Sequence, residues 1–294
     1  MKILYVTDHR QIARASGGFI SDYLNDLTFF GLKELYGDDV IDSTPIISLY
    51  KEYKNKFDHR HLWGGMTAFW LLNKDEAHHK GLRDNIEEKI KDKYFDLIIY
   101  GAIKRCKDYY DLVSKVYPAN KIVLIDGNDE PEVDPLFEKH LYFKRELQYK
   151  HKNLLPITFS YPTHYLADVN KHKTQEYGTV IPGDKNTYIF NNEEDYYKDY
   201  QKSFYGVTSK KAGWDCMRHY EIMGNYCMPY FPDLKDCPKD TLYNFPKELI
   251  LEGTNLSNNF DIKKYYSLMD DIYKEFKNNL TTKAVAYSLI NKVQ

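Results

Sequence analysis

Residues Ser203 to Asp233 read SFYGVTSKKAGWDCMRHYEIMGNYCMPYFPD, and the hydrophobic pattern changes period twice along them. Phe204 to Val207 is an apolar run of the length of a buried strand, and Thr208 to Gly213 breaks it with two lysines and a glycine. From Cys216 onward the apolar positions Cys216, Tyr220, Met223, Gly224 and Cys227 keep the spacing of one helix face. Trp214 and Asp215 sit where that helix is expected to begin, and a second strand follows it. Strand, basic loop, helix and strand make one βαβ unit, the building block of a parallel sheet.

The opposite face of that helix carries Trp214, Arg218, Glu221 and Asn225 at steps of three and four residues, which aligns them on one side. A helix amino terminus has unpaired N–H groups and a partial positive charge, so Ser209, Lys210, Lys211 and Gly213 ahead of it make a seat for a diphosphate. Glu221, deeper along the helix, is placed to accept hydrogen bonds from two neighbouring hydroxyls of the kind a ribose presents. The competing reading is a solvated helix with an Arg218–Glu221 surface pair, which contributes little.

The string KKAGWDCMRHYEIMGNYCMPYF resembles the donor half of GT-B glycosyltransferases, most closely the exostosin-like and spore-protein-like branches. Their pattern of Ser, Arg, x, x, Glu, then Cys, a hydrophobic residue and Pro is echoed by Asp215, Arg218, Glu221, Cys227, Met228 and Pro229. The resemblance implies an α/β protein with two Rossmann-like domains facing each other across a cleft (GT-B) and a C-terminal helix crossing back onto the first. It also implies that the helix amino terminus and its basic neighbours hold a nucleotide-sugar diphosphate, that the Glu binds the ribose, and that a loop within 177–190 lies under the base. The chain departs from the two-glutamate form of the motif, because Gly213 stands eight residues before Glu221. No role in contacting the transferred sugar carries over to that position.

At 294 residues the chain has material for two modest domains, expected at 1–150 and 151–294 with a linker near 147–154. A net charge of −2 gives none of the global basic field of most nucleic-acid binders. The four cysteines, Cys106, Cys216, Cys227 and Cys237, show neither a C-x-x-C pair nor zinc spacing, so they are expected to be reduced and packed. The apolar run MKILYVT is too short for a signal or membrane helix, and a cytoplasmic protein without a membrane span is expected.

Lys2 to Thr7, Phe95 to Tyr100 and Lys121 to Ile125 read as strands, the last two of the doubly buried parallel type. A helix is expected from Phe19 to Tyr36, a strand at Ile46 to Leu49, an aromatic-rich helix over His61 to Leu72, and a charged helix over Asp75 to Lys93. Gly17 and Gly18, before the first helix, serve either a tight turn or the close approach of a ligand's phosphate or sugar. The G-x-G-x-x-G fingerprint is missing, which argues against a dinucleotide cofactor.

Ligands of open α/β sheets bind beyond the carboxyl ends of the strands, which brings Asp8, His9, Gly101 to Arg105 and Asp126 to Glu130 to one crevice. Asp126 and Asp129 are therefore candidate general bases, with His9 a further one, against the alternative of a loop closed by Asx turns. The Asp126–Glu130 run lacks the spacing of a carboxylate metal site, so no metal is expected. Arg145 has the planar fork suited to an anion, or it pairs with Glu146. Leu154 to Ser160 reads as the opening strand of the second half, and Tyr196 to Lys202, Leu242 to Glu252, Ile262 to Phe276 and Thr282 to Val293 as helices.

Three functions follow as expectations. The first is a metal-independent transferase moving a sugar from a nucleotide-diphosphate donor, needing no cofactor, to an acceptor hydroxyl of a glycan or other glycoconjugate. The second is the same chemistry on a modified DNA base, using Lys104, Arg105 and Lys107 as a local basic face. The third is a non-catalytic nucleotide-sugar or protein-binding module on the same fold.

Overall fold

The computed structural model describes residues 1–7, 22–55 and 67–293. His9, Gly17, Gly18 and the start of the aromatic run at His61 lie outside the described residues. The first part of the chain runs β1 (Ile3–Val6), α1 (Tyr23–Tyr36), β2 (Val40–Asp42), α2 (Glu76–His79), α3 (Ile86–Lys91), β3 (Leu97–Tyr100), α4 (Tyr110–Val116), β4 (Ile122–Asp126), β5 (Leu141–Lys144) and β6 (Leu154–Pro156). Its strands form a six-stranded sheet in the order β2-β1-β3-β4-β5-β6, every pair parallel. The sequences ILYV, LIIY and IVLID have no alternation because both faces of β1, β3 and β4 are covered, and every residue in them is buried.

The second part runs β7 (Gln175–Tyr177), α5 (Glu193–Gln201), β8 (Ser203–Val207), α6 (Met217–Gly224), β9 (Met228–Tyr230), α7 (Lys247–Leu256), α8 (Ile262–Asn279) and α9 (Thr282–Val293). β7, β8 and β9 form a three-stranded parallel sheet, so the Ser203–Asp233 stretch is the βαβ unit its periodicity predicts. Its helix starts at Met217, later than expected, with Cys216 at the N-cap. α9 returns to the first sheet, where Val285, Ala286, Leu289 and Ile290 share a core with Phe29, Phe30 and Leu32 of α1. The close approach needs a glycine: a Cβ on Gly31 would stand 2.2 Å from the Thr282 carbonyl oxygen.

Several expectations are corrected. Leu154–Pro156 is no opening strand of a second half; it pairs with β5 and forms the edge of the first sheet. Ile46–Leu49 is a turn, and the paired strand is β2 at Val40–Asp42. Thr67–Leu72 is not helical, with Ala68 and Trp70 both at φ 60°. The charged stretch 75–93 is broken into α2 and α3 where Gly81 and Asn85 take positive φ. The helix expected at 242–252 is α7, shifted toward the carboxyl end. No helix among the described residues is long and apolar enough to cross a membrane.

Candidate functional site

A cavity of about 730 Å³ opens between the two sheets. Because both sheets are parallel, the loops leaving β4, β5 and β8 emerge at carboxyl ends, and residues from all three line this cavity: Asp129, Arg145 and Lys211 to Gly213. Asp215, Arg218 and Glu221 complete the expected part of the lining.

Arg145 joins the sheets. Its Nε donates to the Gly127 carbonyl at 2.9 Å, Nη1 to Glu146 Oε1 at 3.1 Å and to the Asp215 carbonyl, and Nη2 to Asp129 Oδ1. The guanidinium carbon lies 4.7 Å from the centre of the Phe159 ring. Burial works to lower its pKa, but Asp215, Glu146 and Asp129 outweigh it and hold the group above its ordinary value. Glu146 in turn accepts the Asp215 N–H at 2.9 Å, so the loop after β5 grips the approach to α6 from both sides. A Cβ on Gly213 would meet Glu146 Oε1 at 2.6 Å and Asp129 Oδ1 at 2.9 Å, so carboxylates from the loops after β4 and β5 fill the space beside its backbone and leave no room for a side chain.

Asp215 is buried, and its Oδ2 accepts the Phe159 N–H at 2.9 Å. Burial pushes its carboxyl up to about 7 against the pull of Arg145. Glu221 is also buried; Oε2 accepts from the Tyr196 hydroxyl at 2.9 Å, and burial raises its carboxyl above the ordinary range. All eight residues of α6 are buried, which rules out the solvated-helix reading.

Arg218 leaves more of its polar atoms unbonded than these groups do, although Asp215 Oδ1 also has no hydrogen-bond partner among the described residues. It lies on the first turn of α6, whose N-cap residue Cys216 makes no side-chain capping bond, and it is only 9 % exposed. Its Nη2 donates to the Tyr188 hydroxyl at 3.4 Å, while Nε and Nη1 have no hydrogen-bond partner among the described residues. Burial works to lower its pKa, and the surrounding tyrosines and Cys216 outweigh it, so the group stays charged. Lys211, exposed at the rim, adds a second cation.

Among the described candidates, Asp126, Ser209, Lys210, Trp214 and Asn225 fall outside the lining. Asp126 is fully buried, with Oδ1 bonded to the Asn128 N–H at 3.0 Å and paired with Lys144 at 3.2 Å, and Oδ2 taken by Tyr142; it is a structural ion pair and no open base. Trp214 packs in the core of the second sheet, with Lys210 Nζ 5.2 Å from its ring centre, and Ser209 likewise does not line the cavity. Asn225 caps the carboxyl end of α6 and donates to the Tyr161 hydroxyl at 3.2 Å. On the basic face, Arg105 is bonded to Asp22 and Lys107 lies 2.7 Å from Asp134, so two of its three charges are paired locally.

The aromatic lining, Tyr23, Phe159, Tyr188, Phe190 and Tyr196, was not singled out by its residues. In a chain with 28 tyrosines, composition carries no signal for one at a cleft. His219 was missed as well: its ring bridges Thr208 Oγ1 at 2.8 Å and the Trp214 carbonyl at 2.9 Å, tying the basic loop to its helix. Among the described residues no group of three or more His, Cys, Asp or Glu side chains is gathered as a metal-ligand set. No protein-family model matches the sequence, and no curated protein matches it.

Proposed function

We propose that the chain transfers a sugar from a nucleotide-diphosphate donor to an acceptor hydroxyl in the cavity between its two parallel sheets, which would stand as the two Rossmann-like halves of a GT-B arrangement. The observation that carries this reading is Arg218. Two of its nitrogens are unbonded and no carboxylate forms a salt bridge with it among the described residues; a buried charge left without its counter-charge costs several kcal/mol, on the order of the whole margin of a marginally stable domain, and a bound anion offsets that cost. The uncapped start of α6 and Lys211 add positive potential at the same place. Glu221 and the aromatic lining suit a ribose and a flat base.

In the transfer, the acceptor oxygen bonds to the anomeric carbon as that carbon's bond to the diphosphate oxygen breaks. The leaving diphosphate keeps the electron pair and is received by Arg218 and Lys211. The acceptor proton passes to Asp129, whose side chain is 45 % exposed and oriented by Arg145. A thermal-shift screen against nucleotide sugars, with nucleoside diphosphate release measured on each hit, tests the reading. At least one nucleotide sugar is expected to raise the melting temperature and to be cleaved; no shift with any of them contradicts the proposal. The burial of Asp126 favours a second reading, a binding module without chemistry, which predicts a shift with no diphosphate released.

A further inference from the structure

Arg218 is covered, and two of its three nitrogens are unbonded among the described residues. Its Nε and Nη1 are closed to solvent, so an anion reaches them only if a neighbour gives way. Tyr196 and Tyr200 beside it belong to the packed core on α5, whereas Tyr188 is 44 % exposed. The Tyr188 ring centre lies 5.8 Å from the guanidinium carbon, and the single hydrogen bond between them, 3.4 Å long, is at the weak end of the range.

Residues 181–189 form a knob closed on itself. The Thr187 hydroxyl accepts the Ile181 N–H at 2.9 Å and donates to the Asp184 carbonyl at 2.7 Å, and the Tyr188 hydroxyl accepts the Gly183 N–H at 3.3 Å. Gly183 sits at φ 90° with open space around it. Ile181 and Ile189 are 45 % and 60 % exposed, so little apolar burial holds the knob down. Among the described residues, its one hydrogen bond to the rest of the protein is the weak one from Arg218.

We propose that the 181–189 knob is a displaceable cap, in which Tyr188 occupies the guanidinium of Arg218 until a phosphate or phosphate-ester oxygen takes its place and the knob moves outward. This rests on the anion-binding reading of Arg218. The step is an exchange of acceptors on one donor, with the phenol leaving as the anion arrives, and it forms and breaks no covalent bond. A ligand must therefore displace the cap, and apparent affinity is reduced by the fraction of molecules in which the cap is down.

Amide hydrogen exchange on the full chain, with and without inorganic pyrophosphate, tests the cap in the wild type and in Tyr188→Phe, with thermal melts to confirm folding. Tyr188→Phe removes the acceptor of the Gly183 N–H and of Arg218, so exchange across 181–189 rises by about fivefold or more without ligand. Pyrophosphate raises exchange there in the wild type, and binds Tyr188→Phe about threefold or more tightly than the wild type. Unchanged exchange in the ligand-free variant, or slower exchange across 181–189 when pyrophosphate binds, overturns the cap while leaving the anion site standing. A loosened knob in the variant with pyrophosphate binding to neither form removes the anion reading, and the cap with it.

Discussion

Two buried groups at the head of α6 carry charge questions that a single substitution each can answer. Arg218 binds nothing with two of its nitrogens, so Arg218→Met, which keeps the volume and removes the charge, is expected to stabilise the ligand-free protein by roughly 1 kcal/mol, read as a higher melting temperature. Asp215 is pushed up to about 7 by burial, whereas an unfolded aspartate titrates near about 4, so between those values the folded state binds more protons. Stability contributed at this position is therefore present below about pH 4 and lost as pH rises toward 7. Asp215→Asn, whose amide oxygen can still accept the Phe159 N–H, should gain on the wild type across that window by about 1.4 kcal/mol for each pKa unit, measured by urea denaturation at several pH values. A difference that stays flat with pH would contradict the burial argument. Asp126→Asn leaves the Lys144 ammonium buried and short of its counter-charge, and should cost about 3 kcal/mol of stability.

At the scale of elements, α6 and its basic loop are held by His219, which uses both ring nitrogens and stacks on Phe231 at 4.6 Å. Burial pushes its imidazole down to about 3, so the folded state keeps it neutral while the unfolded chain takes up a proton below about pH 6.5. Stability from this group is lost as pH falls from about 6.5 toward 3, the opposite slope to Asp215. His219→Leu strands the Thr208 hydroxyl and the Trp214 carbonyl and should destabilise the protein by about 2–3 kcal/mol in urea unfolding. β1, β3, β4, β8, α8 and α9 were legible in the sequence because their patterns are local: continuous apolar runs, or helical repeats. β2 was not, because three residues make a strand only when a neighbour such as β1 pairs with them. The break between α2 and α3 depends on positive φ at Asn85, which an asparagine signals only weakly.

Over the whole molecule, the two sheets are joined by Arg145 and by α9 lying against α1. Gly31→Ala drives a methyl into the Thr282 carbonyl and should cost about 1–3 kcal/mol, with hydrogen exchange rising first across 282–293. The assignment of Leu154–Pro156 to the wrong half has the same origin as the missed β2: strand type is local, but sheet membership is decided by β5 alongside it. The polar residues of 211–221 that line the cavity were legible because a helix start preceded by lysines has a physical meaning on its own. The locking of Asp126 by Lys144 and Tyr142 was not, since those partners come from a strand the pattern did not reveal. The most direct test of the account is calorimetric titration of a panel of nucleoside diphosphates into the wild type and Arg218→Met, with circular dichroism to show that both are folded. The account predicts that at least one binds the wild type and is weakened about tenfold or more by the substitution, as the loss of a charge-assisted bond requires. Equal affinity in the two proteins, or no binding to the wild type, would contradict it.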